Sequence, residues 1–392
     1  MHDLEKLCVR IRKSGIFGFD TEFISEYTYR PVLALIQVAL PKRVELIDAQ
    51  AIPDLSQFWE LVIDSRLTTI VHAAEQEVRF CWYACGALPK NTIDLQVAAG
   101  LIGKRFPMGY GNLVQSELGV RLRQAHGRTD WSRRPLADSQ IRYAMEDAQY
   151  LLPLWERIEE QITKLERKPW LEEEMVKRTD YLYADLSEVR WWRVGGIRRL
   201  SQQELAAVRE LYHWREKQAS SRNIPRKRIL HDDLIVLAAK SMPQSPDELR
   251  IMRGFEKIGN KDVKSIVDCI AVSQRVSKPD LPELRKNERT SSPSDGRERM
   301  LVAFLEVILE LTSAKKQVNS SLLASSSELR SLVRWYLTGE NPREVPSLLL
   351  GWRKEVCGQL LKDALEFGFG VRILDPNLDI PLSIEHNIGK QS

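Results

Sequence analysis

The segment Ile16–Phe23, which reads IFGFDTEF, constrains the fold more than any other stretch of the chain. Side chains two residues apart in a strand point to the same face, so Asp20 and Glu22 share a face with Gly18. The phenylalanines share the opposite face, which predicts a strand with one side packed on a core. Two carboxylates held close together as anions repel each other. A divalent cation relieves that repulsion, because hard cations bind carboxylate oxygens. Two solvated acids at a strand end are the alternative interpretation.

A second pair of polar residues lies far downstream, in a helical pattern that begins near residue 138. Tyr143 and Asp147 are four residues apart, which places them on one face of a helix. A phenol one turn from a carboxylate suits a site that orients a water molecule beside a metal ion. Taken alone, the pair is equally consistent with a half-buried tyrosine followed by a solvated acid.

A third segment lies between these two in the sequence. The segment His72–Phe80 follows a β-like run over residues 68–71 and opens a helix. In this order the three segments resemble the exonuclease motifs of the DEDD nucleases, in the subgroup with tyrosine in the last motif, and within it the ribonuclease D family. Supporting segments are Tyr29–Val38, Ile93–Gln96 and Arg128–Leu136. The resemblance spans about residues 10–165 and continues more weakly to the C-terminus.

The resemblance implies a metal-dependent 3′→5′ exoribonuclease that removes nucleotides one at a time and releases nucleoside 5′-monophosphates. It implies two divalent cations, Mg²⁺ or Mn²⁺. The implied partner is RNA, with tRNA precursors that have single-stranded 3′ ends as the expected class, and no obligate protein partner is evident. The residues that match the metal ligands of the family are Asp20, Glu22, Glu77 and Asp147. Tyr143 is implied to orient the attacking water.

One position departs from the family pattern. The family has aspartate five residues after a histidine such as His72, and this chain has Glu77 there. Glutamate keeps the charge and adds one methylene, so we expect it to affect the efficiency of catalysis more than its existence. We expect Glu77→Asp to give equal or higher activity. A different acid, Glu75 or Asp94, is an alternative ligand. A DNA-directed 3′→5′ exonuclease with the same site and a non-catalytic RNA-binding scaffold are the alternative functions.

The pattern of the first region predicts an α/β domain. Strand-like runs occur at residues 16–23, 33–40, 44–48 and 68–72, and helical patterns at 55–64, 75–86, 94–102, 111–118 and 138–165. The second and third runs are joined through Pro41-Lys42, which favours an antiparallel hairpin. Early strands with helices around them suit a mixed sheet flanked by helices. The resemblance implies that this is a ribonuclease-H-like exonuclease domain.

Beyond residue 165 the sequence is helical and rich in charge. Segments such as Leu211–Glu216 and Asn223–Arg228 resemble the HRDC helical domain, and Leu349–Arg353 indicates a second, more divergent HRDC-like repeat. The predicted organisation is an exonuclease domain (1–170), a helical connector (171–195), an HRDC domain (196–276), a flexible linker (277–298) and a second all-α HRDC-like domain (299–392).

The positive charge of the chain is concentrated in the HRDC-like region. The whole chain has 58 Lys and Arg against 54 Asp and Glu, a net charge of +4. Residues 190–275 contain 18 basic and 10 acidic residues, a net of +8, so the rest of the chain is net −4. The densest cluster, Arg222, Arg226, Lys227 and Arg228, is predicted to bind nucleic-acid phosphates. A solvated helical face is the alternative.

The composition of the chain narrows the classes of protein to which it can belong. The chain is 43% hydrophobic and 29% charged, as in soluble globular proteins. No apolar run reaches the roughly 18 residues that a bilayer span requires, and the first residues lack the apolar core of a secretory signal. We therefore expect a cytoplasmic location and no membrane partner. The five cysteines have no zinc-like spacing.

Overall fold

The structure, a computed structural model, describes residues 2–122, 129–187, 190–284, 296–366 and 369–386. The chain divides into two compact units. The first comprises Met1–Glu22, Ala34–Leu186 and Pro293–Ser392, and the second comprises Phe23–Leu33 and Ser187–Ser292. Among the described residues, no helix is both long and apolar enough to span a bilayer.

The N-terminal part of the first unit alternates helices and strands. In chain order these are α1 (His2–Ser14), β1 (Ile16–Ile24), β2 (Val32–Leu40), β3 (Arg43–Asp48), α2 (Ser56–Val62), β4 (Thr68–Val71), α3 (Glu75–Cys85), β5 (Thr92–Asp94), α4 (Leu95–Leu101), α5 (Tyr110–Leu118), α6 (Asp138–Gln149), α7 (Leu151–Lys164) and α8 (Lys168–Ser187). The predicted strands and helices of this region are present, with ends that differ by a few residues.

Five strands form one mixed sheet in the order β3-β2-β1-β4-β5. The predicted hairpin of β2 and β3 is confirmed, with Leu35 opposite Asp48 and Leu40 opposite Arg43. Strand β4 pairs in parallel with β1 on one side and with β5 on the other. The predicted α/β architecture is therefore confirmed. The sequence prediction missed β5, whose three residues are too few to show an alternating pattern.

Strand β1 has the two faces that its sequence predicts. Phe17 and Phe19 are fully buried and contact the ring of Phe58 on α2, at centroid distances of 6.2 and 5.5 Å. On the other face, a Cβ at Gly18 would lie 2.9 Å from the Cβ of Leu151. Only glycine at this position lets the start of α7 lie so close to the strand.

The helical pattern predicted over 138–165 is present as two helices, α6 and α7, which meet at Tyr150. Pro153 has no N–H to donate to the carbonyl of Gln149, so the helix cannot continue through this turn. The N–H of Tyr150 instead donates to the hydroxyl of Tyr110 at 3.1 Å. The signal for this break, a proline 15 residues into the predicted helix, was present in the sequence.

The C-terminal part of the first unit is mostly helical. It contains α14 (Gly296–Lys316), α15 (Ser320–Leu323), α16 (Ser326–Leu337), α17 (Gly351–Arg353), a π-helical turn (Lys354–Gly358), α18 (Gln359–Asp363) and a hairpin of β6 (Phe369–Ile373) and β7 (Leu382–His386). The buried side chains of this part belong to the same hydrophobic core as those of α4 and α7. The Arg167 guanidinium joins the two parts by donating to the carbonyls of Leu101 (2.5 Å) and Gln317 (2.8 Å).

The compact units thus group the chain differently from the predicted domains. The region predicted as a separate C-terminal domain, 299–392, shares its core with the exonuclease-like part. Within the predicted linker, residues 285–295 lie outside the described residues.

The second unit is an all-α bundle with its own core. Its helices are α9 (Gln202–Arg222), α10 (Arg226–Ile229), α11 (Asp232–Ser241), α12 (Pro246–Arg250) and α13 (Asn260–Gln274). Helix α9 begins with a capping box between Ser201 and Glu204. The segment between β1 and β2 also belongs to this unit, since the hydroxyl of Tyr29 donates to Glu216 at 2.8 Å.

Candidate active site

Strand β1 extends past the end of β4, its neighbour in the sheet, and Asp20 and Glu22 lie in this extension. Gly18 pairs with Ile70, and β4 ends at the next residue, Val71. The two carboxylates therefore lie beyond the carboxyl end of β4, where the chain turns into α3. Side chains at this edge of a parallel pair are free to meet residues from the start of the following helix.

The turn from β4 into α3 is fixed by Asp94. The Asp94 carboxylate accepts hydrogen bonds from the N–H groups of Ala73 (2.9 Å), Ala74 (3.1 Å) and Gln96 (2.9 Å). Ala73 has a φ of 60°, a left-handed conformation that costs energy for a residue other than glycine. Asp94 thus stabilises the turn, and its oxygens are occupied by backbone donors.

Glu77 lies in the first turn of α3 and is only 5% exposed. Its Oε1 accepts a hydrogen bond from Oγ1 of Thr21 at 2.7 Å. Burial raises the pKa of Glu77 to about 7, although the bond from Thr21 lowers it. Glu75, the other alternative ligand, is exposed and pairs with Arg79 at 2.8 Å. Of the acids in this segment, Glu77 is therefore the one directed at β1.

Helix α6 supplies the second pair of residues. The Tyr143 hydroxyl donates a hydrogen bond to the Asp147 carboxylate. Burial raises the pKa of Asp147 to about 6, while that hydrogen bond lowers it. Burial and the charge of Asp147 raise the pKa of Tyr143 above its ordinary value, so the phenol keeps its proton near neutral pH. The ring of Tyr143 packs beside Trp131, with centroids 6.2 Å apart.

The four carboxylates act on one another electrostatically. Burial, followed by the charges of Glu77, Asp147 and Glu22, raises the pKa of Asp20 well above its ordinary value. Burial, followed by the charges of Asp147 and Glu77, raises the pKa of Glu22 to about 8. Every charged group that shifts these two pKa values is another carboxylate. The structure therefore brings Asp20, Glu22, Glu77, Asp147 and Tyr143 into one cluster.

This set of donors fits a hard divalent cation by its chemistry, because it offers oxygen ligands and an excess of negative charge. In the described part of the chain, no three Asp, Glu, His or Cys side chains already form a cage for one ion. Magnesium does not need such a cage, since it is usually bound through one or two carboxylates with water and substrate phosphates.

Two aromatic residues behind the cluster were not predicted as part of the site. The Tyr110 hydroxyl donates to the carbonyl of Glu146 (3.4 Å) and accepts from the N–H of Tyr150 (3.1 Å). His72 forms a hydrogen bond with the carbonyl of Met108 (3.0 Å), and its ring contacts Tyr110 with centroids 5.5 Å apart. These contacts hold the end of α6, and with it Asp147, in place.

Arg134 is a further residue that sequence reasoning missed. Its guanidinium binds both carboxylate oxygens of Asp48 (2.6 and 2.7 Å) and donates to the carbonyls of Ala34 (3.0 Å) and Trp131 (2.9 Å). Arg134 thereby fixes the loop that places Trp131 against Tyr143. Asp48 and Ala34 are 86 and 100 residues away from Arg134, and no local pattern reveals them.

The residues of the basic cluster in the second unit differ in whether they contact an acidic residue. Its members are Arg222, Arg226, Lys227 and Arg228. Arg222 donates to Asp262 at 2.8 Å, and Arg226 donates to Glu216 at 2.7 Å. Both charges are therefore already compensated within the bundle. The predicted role of the whole cluster in nucleic-acid binding stays a prediction.

Comparison with known families supports both parts of the chain. Residues 1–163 match the family model described as 3′-5′ exonuclease, and residues 204–269 match the model of the HRDC domain. The chain is 33% identical to ribonuclease D of Nitrobacter hamburgensis over 358 residues, which is 91% of each chain. It is also 33% identical to ribonuclease D of Acidiphilium cryptum over 374 residues, covering 94% of this chain and 91% of the relative.

Among solved structures, Escherichia coli RNase D matches with a TM-score of 0.78 and 24% identity, over 93% of this chain and 96% of the other. The fold and the acidic cluster define a 3′–5′ exonuclease joined to an HRDC domain. The chain belongs to the ribonuclease D family. It is accordingly a 3′–5′ exoribonuclease, a hydrolase of phosphodiester bonds, in a family that acts on RNA and depends on divalent metal ions.

Proposed function

We propose that Asp20, Glu22, Glu77 and Asp147 hold two divalent cations, Mg²⁺ or Mn²⁺, at the end of β1. The supporting observation is that the charges of Glu77 and Asp147 raise the pKa values of both Asp20 and Glu22. Like charges kept together at a raised pKa destabilise a fold. Bound cations would offset that cost.

When bound, two such cations lower the pKa of a water molecule and stabilise the charge that develops on the leaving 3′-oxygen. The Tyr143 hydroxyl donates its one proton to Asp147, so its oxygen remains able to accept a hydrogen bond from a water molecule. Its raised pKa makes it a hydrogen-bond donor rather than a base at neutral pH, and its bond to Asp147 fixes the direction of the phenol. In this proposal Tyr143 orients the attacking water, and Trp131 holds the ring of Tyr143 in place.

The proposed substrate is RNA with a single-stranded 3′ end, such as a tRNA precursor, and the proposed products are nucleoside 5′-monophosphates. The ribonuclease D relatives and the basic HRDC unit support this choice. We propose a cytoplasmic location because tRNA precursors are processed where they are made.

The test compares matched RNA and DNA oligonucleotides of one sequence, each with a free 3′-hydroxyl, in the presence of Mg²⁺ or Mn²⁺. We expect stepwise shortening of the RNA from its 3′ end with release of 5′-monophosphates, and slower loss of DNA. An RNA that is blocked by a 3′-phosphate is the substrate control. Binding of RNA without any release would instead support the scaffold, and preference for DNA would support the DNA-directed alternative.

A further inference from the structure

The second unit contains a cleft that the catalytic site does not use. The cleft has a volume of about 510 Å³ and lies beside α10 and the start of α11. Its lining includes the polar residues Lys227, Arg228 and His231, together with Gly254. All four are exposed. A basic cleft of this kind suits an anion that is larger than a single inorganic ion.

The cations of this cleft differ from their neighbours in the basic cluster. Arg222 and Arg226 are each bound to a carboxylate. Within the described part of the chain, Lys227 and Arg228 have no carboxylate at ion-pair distance. The acid whose pKa responds to Lys227 is Asp232, which is already paired with Arg215 at 2.6 Å. The positive charge at the cleft therefore remains available to a phosphate group.

An exposed aromatic residue lies at the same place. Tyr27 is 55% exposed, and the guanidinium carbon of Arg228 lies 5.2 Å from the centroid of its ring. A guanidinium over one face of a tyrosine is an attractive cation–π pair. The exposed remainder of the ring is available to a planar base. Base stacking on aromatic side chains beside basic residues is how single-stranded nucleic acid is bound without sequence preference.

The position of Tyr27 in the chain ties this aromatic residue to the catalytic strand. Tyr27 follows Glu22 by five residues. Five fully extended residues span at most about 18 Å. The backbone at Tyr29 is held in the second unit by a hydrogen bond from its N–H to Oδ1 of Asn223 at 3.3 Å. The chain itself therefore keeps Tyr27 within about 18 Å of Glu22.

We propose that this cleft is a binding subsite for single-stranded RNA upstream of the 3′ end. One base stacks on Tyr27, and Lys227 and Arg228 bind the adjacent phosphate. This inference rests on the proposed function in that RNA is taken as the substrate.

The test measures binding of a 5′-labelled uridine 12-mer to the full chain by fluorescence anisotropy, with EDTA present to prevent hydrolysis. We expect Tyr27→Ala to raise the Kd by roughly 5- to 150-fold, the effect of losing one stacked base, and Tyr27→Phe to bind like the wild type. Lys227→Gln should reduce the slope of log K against log salt by about 1. The matched controls are Tyr181→Ala and Lys240→Gln, an exposed tyrosine and an exposed lysine outside the cleft.

Hydrolysis of a uridine dinucleotide separates this inference from the proposed function. In this proposal the two 3′-terminal nucleotides lie in the active site and the stacked base lies upstream of them, so Tyr27→Ala should lower kcat/KM for the 12-mer more than for the dinucleotide. Wild-type affinity of Tyr27→Ala for the 12-mer, or an equal loss with Tyr181→Ala, would overturn the subsite and leave the proposed function standing. If the wild type binds the 12-mer through Tyr27 but cleaves neither RNA, the proposed function fails and the subsite stands.

Discussion

The acidic cluster of the exonuclease part and the basic cluster of the HRDC unit differ in whether their charges are paired with charges of the opposite sign. In the acidic cluster, every charge that shifts the pKa of Asp20 or Glu22 is another carboxylate. In the basic cluster, Arg222 and Arg226 are each paired with an acid of the same bundle. Asp20 and Glu22 thus lie beside charges of their own sign, whereas two of the four residues of the basic cluster meet an acid within the bundle.

This difference shows which charges are available for function. A charge that is paired within the fold contributes to stability and is not available to a ligand. A partly exposed ion pair contributes only modestly to the free energy of unfolding. Uncompensated like charges lower stability, so their persistence points to a ligand of the opposite sign. The contrast predicts large effects on activity at the acidic cluster and small effects on stability at the paired arginines.

The largest effect should come from Asp20→Asn. Loss of the partners that support a metal ligand already costs 10- to 100-fold, so we expect loss of the ligand itself to lower kcat by more than about 100-fold. The Kd for RNA, measured by anisotropy in EDTA, should stay within about 2-fold of the wild type. Hydrolysis at the wild-type rate would show that the acidic cluster is not the active site.

Glu77→Asp should have the next largest effect. The sequence alone predicts equal or higher activity, but the hydrogen bond from Thr21 predicts a loss. The shorter side chain cannot hold its carboxylate at the same point, and misplacement by about 1 Å can cost about 100-fold. We now expect a loss of about 10- to 100-fold in kcat/KM.

Thr21→Val provides the matched control for Glu77→Asp. It removes the same hydrogen bond while keeping the glutamate, so its loss in kcat/KM should be in the same direction and smaller. Equal or higher activity of Glu77→Asp would show that the bond from Thr21 does not position the carboxylate.

The metal-free protein should lose stability as the pH rises. Folding raises the pKa values of Glu22 to about 8, Glu77 to about 7 and Asp147 to about 6. The folded state then retains protons that the unfolded state has released above about pH 4–5, so the free energy of unfolding falls between about pH 5 and pH 8. After solvent screening we expect a loss of about 1–2 kcal/mol, or roughly 2–8 °C in Tm.

Thermal unfolding in EDTA and in Mg²⁺, at pH 5 and at pH 8, checks this pH dependence. Magnesium should restore the Tm at pH 8 and have little effect at pH 5, where the carboxyls are protonated. Glu22→Gln should flatten the pH dependence in EDTA. A Tm in EDTA that is the same or higher at pH 8 than at pH 5 would contradict the uncompensated charge of the cluster.

The smallest effect should come from Arg222→Gln. Its pair with Asp262 is partly exposed, so its loss should lower the free energy of unfolding by about 1 kcal/mol or less. Because this charge is already compensated, the Kd for the uridine 12-mer should stay within about 2-fold of the wild type, unlike that of Lys227→Gln. A loss of RNA affinity as large as that of Lys227→Gln would show that the ion pair opens for RNA.

Sequence reasoning reached the strands and most helices because these depend on local patterns, and it reached Glu77 only through the resemblance to the ribonuclease D family. The alternation in β1 and the four-residue spacing of Tyr143 and Asp147 are visible in any short window. The roles of Arg134 and Tyr110 are not visible in a short window, because each residue binds partners that are far away along the chain. Equally, a run of arginines does not reveal which of them meets an acid once the helices pack.

The most direct test of the central claim is Mn²⁺ binding by the full chain at pH 7.5, followed by electron paramagnetic resonance with and without a nucleoside 5′-monophosphate. We predict two bound ions in the wild type with the nucleotide. In Asp147→Asn, we predict at least a 10-fold weaker affinity or the loss of one ion. The same number of ions with the same affinity in both proteins would contradict the account.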